Sequence, residues 1–171
     1  LDQFAAKPVL RGPRHAAQQP LCEAFGGALQ GVNFDWKQLD DVEHAMWDKW
    51  VSVASIAGMT CLMRAAVGDI LATDAGGLLM LAMLSECASV AGAEGHPVAQ
   101  TDLERHKRML TQTGSTATAS MLRDTESGGS TEADHVLGAM LALARKHALS
   151  TPMIEIAYTH LQAYAARRKR E

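Results

Sequence analysis

The stretch DAGGLLMLAMLSECASVAGAEG, Asp74–Gly95, decides how the chain is read. It has helical composition and is apolar on nearly every side, and such an element belongs at the centre of a helical bundle. Its longest apolar run, Ala75 to Leu84, is about half of what a bilayer crossing needs, so no membrane span is expected. On either side lie further helical patterns. Upstream, DDVEHAMWDKWVSVASIAGMTCLM (Asp40–Met63) is opened by two aspartates, and AAVGDILAT (Ala65–Thr73) reads as a short connecting turn of helix. Downstream, Thr101 and Glu104 have the spacing of a capping box for a helix in TDLERHKRMLTQT. Gly114 interrupts before STATASMLRDTES, the turn SGGS leads to a helix from about Thr131 to His147, and Pro152 suits the first turn of a last helix.

The beginning of the chain is different. LDQFAAKPVLRGPR carries two prolines and reads as extended or loop structure, PLCEAFGGALQ (Pro20–Gln30) as a short amphipathic helix, and GVNFDWKQLDD as a short strand entering a turn. Residues 1–37 therefore read as strand–helix–strand, and residues 38–171 as an all-α body of about six helices.

Composition agrees with a helical body. Of 171 residues, 47% are hydrophobic and only 5% aromatic. Alanine, leucine, methionine and glycine dominate, which favours close helix packing through small residues. Sixteen Lys and Arg against nineteen Asp and Glu leave a net charge of −3, and a weakly acidic chain gives no basis for a nucleic-acid partner. The basic run ARRKR (Ala166–Arg170) reads as a helix C-terminus favoured by the macrodipole. Cys22, Cys61 and Cys87 are odd in number and far apart, as expected of buried, reduced thiols in a cytoplasmic protein. No CxxC, no HExxH and no i,i+4 histidine pair occurs, so no metal site is expected. The chain shows no signal-peptide pattern, and its start at Leu1 is that expected of a fragment.

Two charged residues lie on stripes that should be apolar. Lys49 shares a helical line with Val42, Met46, Val53 and Ile56, with Trp47 and Trp50 beside it. Glu132 shares one with Val136, Ala139 or Met140, and Leu143. One reading makes Lys49 a snorkelling side chain and Glu132 a first-turn acid beside a Thr131–Asp134 cap. The other turns both inward to face each other, because an enclosed lysine needs a partner and becomes a proton donor near the working pH. Ser120, in TASMLRD, is by itself an ordinary small residue at a helix contact.

The order and spacing of MWDKW, SMLRD, STEAD and STP resemble the C-terminal domain of ketopantoate reductases, 2-dehydropantoate 2-reductases, over roughly Asp40 to Tyr164. The most specific part is the block SMLRDTESGGSTEAD, in which a serine precedes a glutamate by twelve residues. The resemblance implies an all-α, multi-helix bundle like the C-terminal domain of 6-phosphogluconate dehydrogenases. It also implies that residues 1–37 are the tail of a dinucleotide-binding (Rossmann) domain. It implies further that Lys49 is the general acid that protonates a 2-oxo acid's ketone as hydride arrives from NADP(H). Glu132 would hold the substrate and position the lysine, and Ser120 would hydrogen-bond the substrate carboxylate. A homodimer is implied as well.

Two departures qualify this. Val53 and Ala57 stand where the family has asparagines one and two turns after the lysine, so the expected substrate is less polar than ketopantoate. No GxGxxG fingerprint occurs, and GGALQG (Gly26–Gly31) has the wrong spacing, so the cofactor-binding residues are unknown and the fragment alone is expected to be inactive. The alternative function is a non-catalytic helical interaction module in which Lys49 and Glu132 form a structural ion pair.

Overall fold

A parallel strand pair opens the computed structural model, which describes residues 8–31 and 33–170. Strand β1 (Val9–Arg11) pairs with β2 (Trp36–Gln38), with Val9 opposite Trp36 and Arg11 opposite Gln38, and helix α1 (Gln19–Ala28) connects them. The strand–helix–strand order is the one read from the sequence; residues 1–7, Val32 and Glu171 lie outside the described residues. Arg11 organises this unit. Its guanidinium lies 4.4 Å from the Trp36 ring centroid and 5.8 Å from that of Phe25. It donates to Gln38 Oε1 at 2.7 Å and to the Cys22 carbonyl. The chain divides into two compact units at Met46/Trp47.

The rest is helical: α2 (Val42–Met63), α3 (Val67–Leu71), α4 (Gly76–Ala93), α5 (Gln100–Leu110), α6 (Ser120–Glu126), α7 (Ala139–Lys146) and α8 (Pro152–Arg168). Asp41 starts α2, as its carboxylate accepts the His44 N–H at 2.8 Å. The expected capping box of α5 is absent, because the helix begins at Gln100 and Glu104 instead accepts from Gln100 and Lys107. Pro152 occupies the first turn of α8, where a missing N–H costs nothing.

Helix α4 is central, touching α3, α5, α7 and α8. Met80, Met83, Leu84, Cys87, Val90 and Ala91 bury one side of it. Its opposite side is open, with Leu78 74% and Leu81 36% exposed, so the helix is not enclosed all round as its composition predicts. Gly58 of α2 lets α4 approach, since a Cβ there would meet the Met83 methyl at 2.7 Å. The core fills with long flexible side chains, Met59, Met80, Met83 and Met140, that mould around small neighbours.

Glu86 is the one charge on α4. Its two carboxylate oxygens accept the backbone N–H groups of Met153 at 3.0 Å and Ile154 at 2.9 Å. A side chain from the central helix thus satisfies two of the free donors at the start of α8. Glu86→Ala leaves both unpaired in a partly buried position. We expect a loss of about 1–3 kcal/mol in denaturant unfolding, with Glu86→Gln, which keeps one acceptor, in between.

Candidate functional site

Both sequence neighbours of Lys49 are anchored. Asp48 Oδ1 lies 2.7 Å from Nε2 of His106, whose side chain is only 4% exposed, and Asp48 Oδ2 accepts from Arg105 at 2.9 Å. Trp50 Nε1 donates to the Val136 carbonyl at 3.0 Å. One residue further back, Trp47 stacks on His96, rings 5.1 Å apart and 13° from parallel, and tilts against Trp50. Lys49 itself is exposed and makes no hydrogen bond or ion pair among the described residues. Its expected enclosure is therefore corrected. The buried face of α2 is Val51, Ala54, Ser55 and Gly58, and Lys49 lies off it.

Glu132 is also exposed, and the helix begins one residue after it. Residues Asp134–Gly138 form a π-helical turn before α7, which inserts one extra residue and rotates everything beyond it relative to an α-helical count. The face buried in the core is Ala133, Leu137, Met140, Leu141 and Ala144, with Val136 and Leu143 packed at its edge and Glu132 off it. Glu132 does start the turn, because its backbone carbonyl accepts from His135 at 3.1 Å and Val136 at 3.0 Å. Trp50 bonds the carbonyl of that same Val136, so α2 at Lys49 lies alongside the turn that Glu132 opens. No ion pair joins Lys49 and Glu132 among the described residues.

Ser120 begins α6 and is exposed. The residue before it is fastened to α2, with Ala119 N–H donating to Thr60 Oγ1 at 3.3 Å. Thr60 lies ~16 Å along the helix axis from Lys49 at 1.5 Å per residue. The Trp50–Val136 bond sets the stretch of α2 that carries Lys49 beside the turn after Glu132, and Ser120 lies further along α2. Between them on the helix, Val53 is partly buried and Ala57 is 1% exposed.

Tyr158 is a neighbour that the sequence reading missed. Its hydroxyl donates to Asp134 Oδ1 at 2.8 Å, and its ring lies across Gly138, where a Cβ would come within 2.9 Å of it. The hydrogen bond to Asp134, partial burial and the carboxylate's charge push its pKa up. Asp134 is thus engaged with α8, where the sequence pairs it with Thr131 in a cap. The cysteines are poor candidates for chemistry: burial pushes the Cys61 and Cys87 thiols up to about 12. No cluster of metal-ligating side chains occurs among the described residues.

The helical unit has the fold of a domain found in reductases. Residues 41–165 match the family described as ketopantoate reductase PanE/ApbA C terminal, and the chain belongs to this family. It is 34% identical over 155 residues to the uncharacterized oxidoreductase YkpB of Bacillus subtilis, covering 91% of this chain and 50% of that protein. It is 29% identical over 112 residues to a 2-dehydropantoate 2-reductase of Halobacterium salinarum, covering 66% and 37%. Among solved structures, a dimeric ketopantoate reductase from Staphylococcus aureus superposes with TM-score 0.77 at 24% identity, covering 86% of this chain and 52% of that one. A D-mandelate dehydrogenase bound to NADH and anilino(oxo)acetate superposes with TM-score 0.78 at 14% identity, covering 94% and 67%. The chain spans half or less of the length of the curated relatives it matches.

The contacts predict a contrast between adjacent residues. Trp50→Phe removes the bond to Val136 and should cost about 1 kcal/mol in thermal or denaturant unfolding. Lys49→Met, at an exposed and unpaired position, should change stability by no more than about 0.5 kcal/mol. A loss of ~3 kcal/mol at Lys49 would instead reveal a buried ion pair.

Proposed function

We propose that this chain supplies the substrate-binding and catalytic half of an NADPH-dependent reductase that converts a 2-oxo acid, ketopantoate or a less polar relative, to the 2-hydroxy acid. Lys49 is the general acid, Glu132 positions it and holds the substrate, and Ser120 binds the substrate carboxylate. The observation that carries this reading is the state of Lys49: an unpartnered ammonium on a stretch of helix whose neighbours are held by α5 and by the turn after Glu132. The alternative, a structural ion pair between Lys49 and Glu132, is not formed among the described residues. A general acid must be free to meet the substrate yet fixed in position.

Reduction adds a hydride to the carbonyl carbon and a proton to its oxygen. The ammonium of Lys49 stabilises the alkoxide charge as it develops and delivers the proton. NADP(H) supplies the hydride when bound, but the described residues do not form its cradle. GGALQG lies at the end of α1 rather than at a helix start after a strand, and no GxGxxG exists in the 171 residues. The cofactor therefore has to be held by a different part of the protein, and this chain mixed with NADPH and 2-oxo acids should give no turnover.

The first unit fits that division. We place residues 1–37 as the end of a dinucleotide-binding domain and residues 38–171 as the helical domain. Parallel sheets are covered on both faces, yet Val9 and Leu10 are each 50% exposed, as at the margin of a larger sheet. The unpaired cysteines support a cytoplasmic protein. The dimeric S. aureus relative and the open apolar side of α4 support a homodimer.

The test uses the protein joined to its dinucleotide-binding half. Lys49→Ala should lower kcat about 10²–10⁴-fold with the fold and melting temperature retained. Undiminished turnover, or loss of folding in place of turnover, would refute the assignment. Val53 reports on specificity: Val53→Asn restores an amide to the pocket and should raise kcat/KM for ketopantoate relative to an apolar 2-oxo acid by about tenfold or more.

A further inference from the structure

We propose that a hollow at the far end of α2 from Lys49 binds a small dianion of the phosphate class, either inorganic phosphate or a phosphate monoester. The cavity has a volume of about 230 Å³ and is lined by Arg64, Thr125, His160, Ala163, Tyr164 and Arg167. It stands apart from the proposed catalytic lysine, as Arg64 follows the last residue of α2 and lies ~22 Å along the axis from Lys49. The proposal does not depend on the reductase reading.

The lining is one-sided in charge. Two guanidiniums and an imidazole come from the end of α2 and from α8, and no carboxylate is among the lining residues. Asp124 and Glu126 of α6 do act on the neighbouring Cys61 thiol, so their charge moderates the site without entering it. The two hydroxyl-bearing walls are already held. Tyr164 donates to the Gly129 carbonyl and Thr125 to that of Leu122, each at 2.7 Å. They shape the cavity, leaving donation to Arg64 and His160, which have no side-chain hydrogen bond or ion pair among the described residues, while Arg167 already has an interaction of its own and adds charge. Guanidinium forks match the tetrahedral oxygens of a phosphate in paired hydrogen bonds. Two guanidiniums, which stay protonated, suit a dianion better than a carboxylate. Because the cavity is open on one side, binding should be weak and reduced by salt.

Arg64 also allows a clean test. Its backbone is left-handed at φ 52, a conformation natural to glycine, and Ala65 N–H closes the helix on Thr60 O at 3.3 Å. Arg64→Gly therefore removes the guanidinium while suiting the backbone. Inorganic phosphate is titrated into the chain at constant ionic strength, followed by calorimetry and by the histidine ring resonance that His160→Gln removes. Saturable binding that shifts this resonance is expected, with chloride and acetate inert. Arg64→Gly should weaken it at least tenfold and Arg64→Lys less. Absence of saturable binding, an equal response to acetate or chloride, or an unchanged affinity in Arg64→Gly would each overturn the proposal. Phenyl phosphate then separates the two sources: binding as tight as phosphate shows a monoester site, and exclusion a site for the free ion.

Discussion

The carboxylate of Asp48 is the constraint on which the site depends. It joins a buried imidazole on α5 to α2, and a buried polar ring cannot be left without a partner at small cost. Arg105 holds the second oxygen, so the carboxylate is gripped from two residues of one helix turn. Consecutive residues on a helix project about 100° apart. Fixing Asp48 toward α5 therefore fixes where Lys49 projects, away from α5 and into open space. Trp50, one step further round, closes on the Val136 carbonyl. Sliding or rotating α2 would break contacts to α5 and to the turn after Glu132 together.

Much of the architecture was legible in the sequence because it rests on local rules. The helical character of 76–93, the aspartate that starts α2, the proline that opens α8 and the strand–helix–strand order at the beginning all follow from composition and capping. What was not legible depends on partners far along the chain. Glu86 looks like a defect in an apolar helix until α8 brings two unsatisfied N–H groups to it. Thr101 and Glu104 have capping-box spacing, but the backbone starts the helix at Gln100 and Glu104 turns to Lys107.

The site shows a subtler mismatch. Lys49 and Glu132 were singled out as charges on buried stripes, yet both are exposed. Helical counting set Glu132 on the core face because it followed Val136 and Leu143, which only flank the buried line of Ala133, Leu137, Met140, Leu141 and Ala144. The π-helical turn at Asp134–Gly138 is announced by no residue type. For Lys49 the stripe was a boundary line, exposed at Met46 and Lys49 and increasingly buried toward Ala57.

The wide turn also leaves this segment tolerant of one change in length. A point substitution near Glu132 changes one side chain, but deleting one residue within 134–138 would let the turn relax to an ordinary α-helix. The core residues Leu137, Met140 and Leu141 would hold their places, since burial dominates the register. The acid upstream would keep its orientation, because the residue lost is the extra one that the wide turn carries. A deletion further along α7 has no such slack and would swing the acid by about 100° relative to the core face.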